Sequence, residues 1–79
     1  MAAAITVRYW AGARRAAGTA EEVAAAETVG ELRTLLGGRG ELAQIVEVAS
    51  FLVDGAPSSD ATVLHDGAVV DVLPPFAGG

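Results

Sequence analysis

The sequence contains no cysteine. Neither a disulfide nor a thiolate metal site can brace the fold, so a chain of 79 residues must rely on packing alone. Lysine is also absent, which leaves no side-chain amine to receive an acyl group from another protein. The single histidine, His65, stands beside the Asp66-Gly67 turn, the place of a solvated surface residue rather than of a triad base. Four scattered aspartates and this one histidine make no metal-ligand spacing. Basic residues are few. Five arginines against ten acids give a net charge of −5, which argues against a nucleic-acid ligand and suggests a partner with a basic face. No apolar run approaches the ~20 residues that cross a bilayer, and no charged segment precedes a long apolar one. The expected location is therefore cytosolic.

What is present is apolar, but less so than the 52% figure implies, because seventeen of those residues are alanine and bury little area. The candidate core is Ile5, Val7, Tyr9, Val23, Val29, Leu32, Leu35, Leu36, Leu42, Ile45, Val46, Phe51, Val53, Leu64, Val70 and Val72. Ile5-Thr6-Val7-Arg8-Tyr9-Trp10 alternates in period two and predicts a strand, with Ile5, Val7 and Tyr9 inward and Thr6, Arg8 and Trp10 outward. Residues 11–18, bounded by Gly12 and Gly18, read as a loop carrying Arg14 and Arg15. A second strand is expected over about 20–24, with Val23 inward and Glu22 outward.

Thr28-Val29-Gly30-Glu31 is a capping box, and Val29, Leu32, Leu35 and Leu36 fall on one face of the helix it opens. Gly37-Gly38 stops that helix. The glycine run resembles a phosphate loop only superficially. It lacks the Lys-Ser/Thr pair and follows a helix rather than a strand. Leu42, Ile45, Val46 and Ala49 suggest a short second helix. Phe51-Leu52-Val53 reads as a strand before an Asp54-Gly55 turn, residues 61–64 as a weak edge strand or irregular segment, and residues 69–73 as a last strand ended by Pro74. The order predicts an α+β fold: a mixed sheet of four to five strands, one main helix packed on one face, and a flexible tail. The domain would span 1–73 and the extended tail 74–79.

No self-contained active site emerges. Glu21 and Glu22 are consecutive and would point to opposite faces of a strand. The tail is the expected reactive part. Pro74-Pro75 forms a stiff stem, and Phe76-Ala77-Gly78-Gly79 follows it. Six extended residues reach roughly 20 Å. A terminal carboxyl has a pKa near 3.5, so at neutral pH it is an anion and a poor electrophile until activated, for which adenylation by ATP is the usual route. Glycine suits the narrow cleft of an activating enzyme because it has no Cβ. A second expectation concerns apolar side chains on the open face. If the first and last strands are neighbours, Trp10, Val69 and Leu73 cluster there as a docking patch.

These features together resemble the ubiquitin-like β-grasp sulfur carriers, and most of all the molybdopterin synthase small-subunit (MoaD) family. The resemblance rests on Val7-Arg8-Tyr9-Trp10-Ala11, Thr28-Val29-Gly30-Glu31-Leu32 and Phe51-Leu52-Val53-Asp54-Gly55. It rests most on Leu64-His65-Asp66-Gly67 and on Val70 through Gly79. It implies that an E1-like enzyme adenylates Gly79 with ATP, and that a sulfur donor converts it to a thiocarboxylate. The tail (Pro74, Pro75, Phe76, Ala77 and Gly78) would then thread into a larger, catalytic synthase subunit and deliver sulfur to a pterin precursor. The chain would bind no cofactor or metal itself, and catalysis would lie in the partner. Phe76 is bulkier than the residue usual at its position in that family. Carriers for thiamine, cysteine or transfer-RNA thiolation share the pattern. A ubiquitin-like modifier and an inert β-grasp interaction domain are the competing classes.

Overall fold

Residues 2–75 are described by the computed structural model. Strand β1 (Ala3–Tyr9) alternates as expected, with Ala3, Ile5, Val7 and Tyr9 buried. Helix α1 (Gly12–Ala17) follows, then β2 (Glu21–Ala26), α2 (Val29–Leu36), α3 (Leu42–Val48), β3 (Ser50–Val53), β4 (Ala56–Pro57) and β5 (Val69–Leu73). The five strands form one sheet in the order β2-β1-β5-β3-β4. β1 and β5 run parallel at its centre, and the other pairs are antiparallel. The core lies on one face, where Val7, Val29, Leu32, Leu42, Val70 and Val72 are completely buried. The mixed sheet with helices on one face is the expected β-grasp arrangement, now with three short helices rather than one or two.

Residues 11–18 do not form the expected loop. Ala13 is fully buried, Ala16 and Ala17 pack against the core, and alanine favours the helix that this requires. Gly18 closes it in the left-handed region at φ 78°. Ala11, at φ 49° and ψ −126°, takes a conformation that glycine alone adopts easily.

Val23 is not inward but 75% exposed. The register places it opposite Thr6 on the open face, while Glu22 lies opposite Val7 on the core side. Glu22 sits there at the sheet edge because its carboxylate is satisfied. It accepts from the Tyr9 hydroxyl at 2.8 Å and from Arg39 Nη1 at 2.7 Å. Burial pushes its carboxyl up, but the bonds from Arg39 and Tyr9 outweigh that and hold it below the usual value. Burial and the Glu22 contact push the Tyr9 phenol well up.

The Thr28 cap forms, its hydroxyl accepting the Glu31 amide at 3.1 Å, while the Glu31 carboxylate reaches back one residue past the cap and accepts the Glu27 amide at 3.3 Å. Leu35 is half exposed, contrary to expectation. At 100° per residue, Val29, Leu32 and Leu36 form the buried stripe and Leu35 falls on its outer rim. Arg33 lies on the other rim and reaches α3. It donates from Nη1 to the carbonyls of Val46 and Ala49, covering the C-terminal end of that helix, and stacks 4.5 Å above the Phe51 ring. Gly30 is required by close approach. Its amide donates to the Asp60 carbonyl at 3.0 Å, and a Cβ there would come within 3.1 Å of Asp60. Asp54 and Gly55, both at positive φ, turn β3 directly into β4. That two-residue strand was not anticipated. Residues 61–64 are irregular apart from one bridge between Val63 and Thr28.

Candidate functional site

The parallel pairing of β1 with β5 builds the open face. Thr6 lies beside Val69 and Arg8 beside Asp71, and Trp10 donates its backbone amide to the Val72 carbonyl at 3.3 Å. Trp10 and Leu73 therefore share one end of the central pair, the end from which the chain leaves the sheet. Val69 lies at the other end of β5, roughly 13 Å away at ~3.3 Å per residue. The sheet thus brings two of the three expected docking residues together and sets the third apart.

Between them stands a charged group that the sequence reading did not single out. Asp71 is 7% exposed and accepts from Arg8 Nε at 2.7 Å, from Arg8 Nη2 at 3.3 Å and from the Trp10 indole N–H at 2.9 Å. Burial pushes its carboxyl up, but the bonds from Arg8 and Trp10 prevail and hold it below the usual carboxylate value. Trp10 remains 44% exposed. The signal for this pair was an outward arginine on one strand and an outward aspartate on another. Without the β1–β5 register the two could not be matched.

Pro74 is half-buried and Pro75 exposed. With Ala11, Gly12, Arg15, Gln44, Ile45 and Val48 they line an open groove of about 450 Å³. The other proposed tail residues, Phe76, Ala77, Gly78 and Gly79, lie outside the described residues. His65 lies on the surface. Its Nε2 meets Asp54 Oδ2 at 2.7 Å and its Nδ1 meets the Asp66 carbonyl at 2.9 Å, which ties two turns together. Both partners are acceptors, and the bond to Asp54 raises the imidazole's pKa, helped by the Asp66 carbonyl. No three His, Asp or Glu side chains among the described residues are placed to hold a metal ion. Nor is any helix among them long and apolar enough to cross a membrane.

Comparison with known proteins places this geometry. The ThiS family model matches residues 7–79. A Pyrococcus furiosus structure described as molybdopterin converting factor subunit 1 superposes with a TM-score of 0.80 at 27% identity, covering 94% of this chain and 99% of its own. In a Helicobacter pylori complex of subunits 1 and 2 of molybdopterin-converting factor, the match has a TM-score of 0.76 at 25% identity, over 96% of this chain and 99% of that one. The small archaeal modifier protein 1 of Methanosarcina acetivorans has the same fold, with a TM-score of 0.86 at 24% identity over 100% of this chain and 99% of its own. A search of curated proteins by sequence found no match. A family match that runs from the middle of β1 to Gly79, on a sheet and helices of this arrangement, means that the chain belongs to the ThiS family and is a β-grasp sulfur carrier.

Proposed function

We propose that this chain carries sulfur on the carboxyl of Gly79 for molybdopterin synthesis, acting as the small subunit of a two-component synthase. The observation that carries the reading is the match of the ThiS model through Gly79, on a chain whose last strand runs straight into Pro74-Pro75 beside the exposed Trp10. The Pyrococcus and Helicobacter relatives favour the molybdopterin pathway over the other thiolation routes. The Helicobacter protein, in complex with its subunit 2, is the precedent for a large-subunit partner.

In this reading an E1-like enzyme binds ATP and the tail together. The Gly79 carboxylate attacks the α-phosphorus, forming an acyl-adenylate and releasing pyrophosphate. Sulfide-level sulfur from a donor then displaces AMP and leaves the thiocarboxylate. The tail enters the large subunit, whose residues transfer the sulfur to a cyclic pterin precursor; a dithiolene takes two such deliveries. Gly78 and Gly79 keep the tail narrow, and Pro74-Pro75 lowers the entropy lost when it is threaded. Trp10 and Leu73 form the docking contact at the base of the tail, and Val69 extends that face toward its far end.

The test is chemical. The chain is incubated with ATP, a sulfur source and cell extract, then treated with a thiol alkylator. Because the chain has no cysteine, an alkyl group on its C-terminal peptide marks a thiocarboxylate. Intact mass alone is not diagnostic, since exchange of oxygen for sulfur adds the same nominal mass as oxidation of Met1 or Trp10. Higher-mass adducts joined through Gly79 to target lysines, with no alkylated terminus, would assign a modifier instead. Addition of the large subunit and the pterin precursor to the alkylatable form should regenerate the free carboxylate.

A further inference from the structure

Asp71 is the buried charged residue of the described chain, and it lies mid-sheet between Arg8 of β1 and Leu52 of β3. Stability does not call for it there. Only the Asp71 side of the pair is out of water, since the Arg8 side chain is nearly half exposed. Burying that carboxylate costs desolvation, a solvent-facing arginine returns little of it, and a well-packed apolar residue of similar volume does as well or better. The rest of β5 is Val69, Val70, Val72 and Leu73, so another apolar residue would continue the pattern. The carboxylate instead engages three donors at once, two from Arg8 and one from the Trp10 indole. The guanidinium of Arg8 also lies 5.6 Å from the centre of the Trp10 ring. The indole is thus held by its N–H edge on one side and flanked by a cation, while nearly half of it faces solvent.

We propose that Arg8 and Asp71 are positioning residues for Trp10, locking its indole in one orientation so that the exposed ring meets a partner already in place. This rests on the reading of Trp10 as a docking residue. An aromatic anchor held before the encounter spares the ordering entropy that a free indole would lose on binding. It also explains why a charged pair occupies a central position of a face otherwise suited to apolar contact.

Trp10 is the sole tryptophan, so its fluorescence and its indole N–H resonance report on the cluster directly. In the double variant Arg8→Val/Asp71→Val, whose β-branched replacements suit a strand, the urea midpoint should stay at or above that of the parent. The indole N–H should exchange about tenfold faster, the size expected for a lost charge-assisted hydrogen bond, and the rapid component of the anisotropy decay should grow. Asp71→Asn keeps an acceptor but loses the charge, and should fall between the two. An indole as ordered in the double variant as in the parent overturns the proposal. So does unfolding of that variant, which would make the pair a structural support. With the large synthase subunit as probe, the double variant should bind about tenfold more weakly; equal binding overturns the proposal. If the parent chain does not bind that subunit at all, the docking reading fails, and the indole measurements still decide the positioning.

Discussion

Removal of the Arg33 side chain should weaken this domain more than any other single surface truncation. Arg33 joins three parts of the fold: it sits on α2, donates to the Val46 and Ala49 carbonyls at the end of α3, and stacks on Phe51 of β3. Its Nε also meets Asp60 at 3.1 Å. These contacts differ in weight. Asp60 is mostly exposed, so that ion pair contributes under about 1 kcal/mol. The stacking on Phe51 adds about 0.5–1 kcal/mol. The bonds to the α3 carbonyls are charge-assisted, each about 1.5–3 kcal/mol, and their loss leaves a helix end without its partner. Water will replace part of this. The net loss in Arg33→Ala should be about 3 kcal/mol, a large share of the roughly 4–12 kcal/mol that a domain of this size holds. The midpoint of thermal unfolding should then fall by more than about 10 °C. Arg33→Lys should recover less than half, because an ammonium cannot reproduce the planar fork. Asp60→Asn should change little. Urea and thermal denaturation of the three variants decide the matter. An Arg33→Ala chain within about 0.5 kcal/mol of the parent would refute the capping role, and an equally large loss in Asp60→Asn would show that the ion pair had been underrated.

Three further outcomes follow from particular residues. Gly78→Val or deletion of Gly79 should leave the melting curve unchanged and abolish the alkylatable terminus; a melted fold in either variant, or retained thiocarboxylate, would contradict the proposed role of the tail. Ala11→Gly should raise stability by about 1 kcal/mol, because position 11 holds a backbone conformation that strains any residue with a Cβ; a loss in the denaturation midpoint would count against it. The His65–Asp54 clasp should give a pH-dependent contribution. His65 is raised, chiefly by its bond to Asp54, so its stabilisation is complete below its ordinary value of 6.5 and fades as pH rises through the higher folded value. Asp54 is lowered, first by the Val69 amide and then by His65, so its stabilisation holds above its ordinary value of 3.8 and is lost as pH falls through the lower folded value. The gap in urea midpoint between the parent and His65→Ala should therefore be widest between those two values and narrow at alkaline pH, whereas a gap independent of pH would exclude the clasp.

Much of this was local and hence readable from residue order. The alternation of β1, the Thr28 cap, the Asp54-Gly55 turn and the end of β5 at Pro74 each depend on a few neighbouring residues whose backbone preferences agree with the fold. The family signature was legible for the same reason, since it is carried by contiguous stretches. Other features depended on contacts between distant segments. The facing of Val23 and Glu22 follows from which residue of β2 sits opposite Val7, and a slip of one position would exchange them. The helix over 12–17 forms because Ala13, Ala16 and Ala17 find a core to cover, something two bracketing glycines could not disclose. Asp71 and Arg8 are sixty-three positions apart and became one unit through the parallel pairing of β1 and β5. Propensities and turns act along the chain, whereas registry and the satisfaction of buried charge act across it, and the latter emerge when the sheet closes.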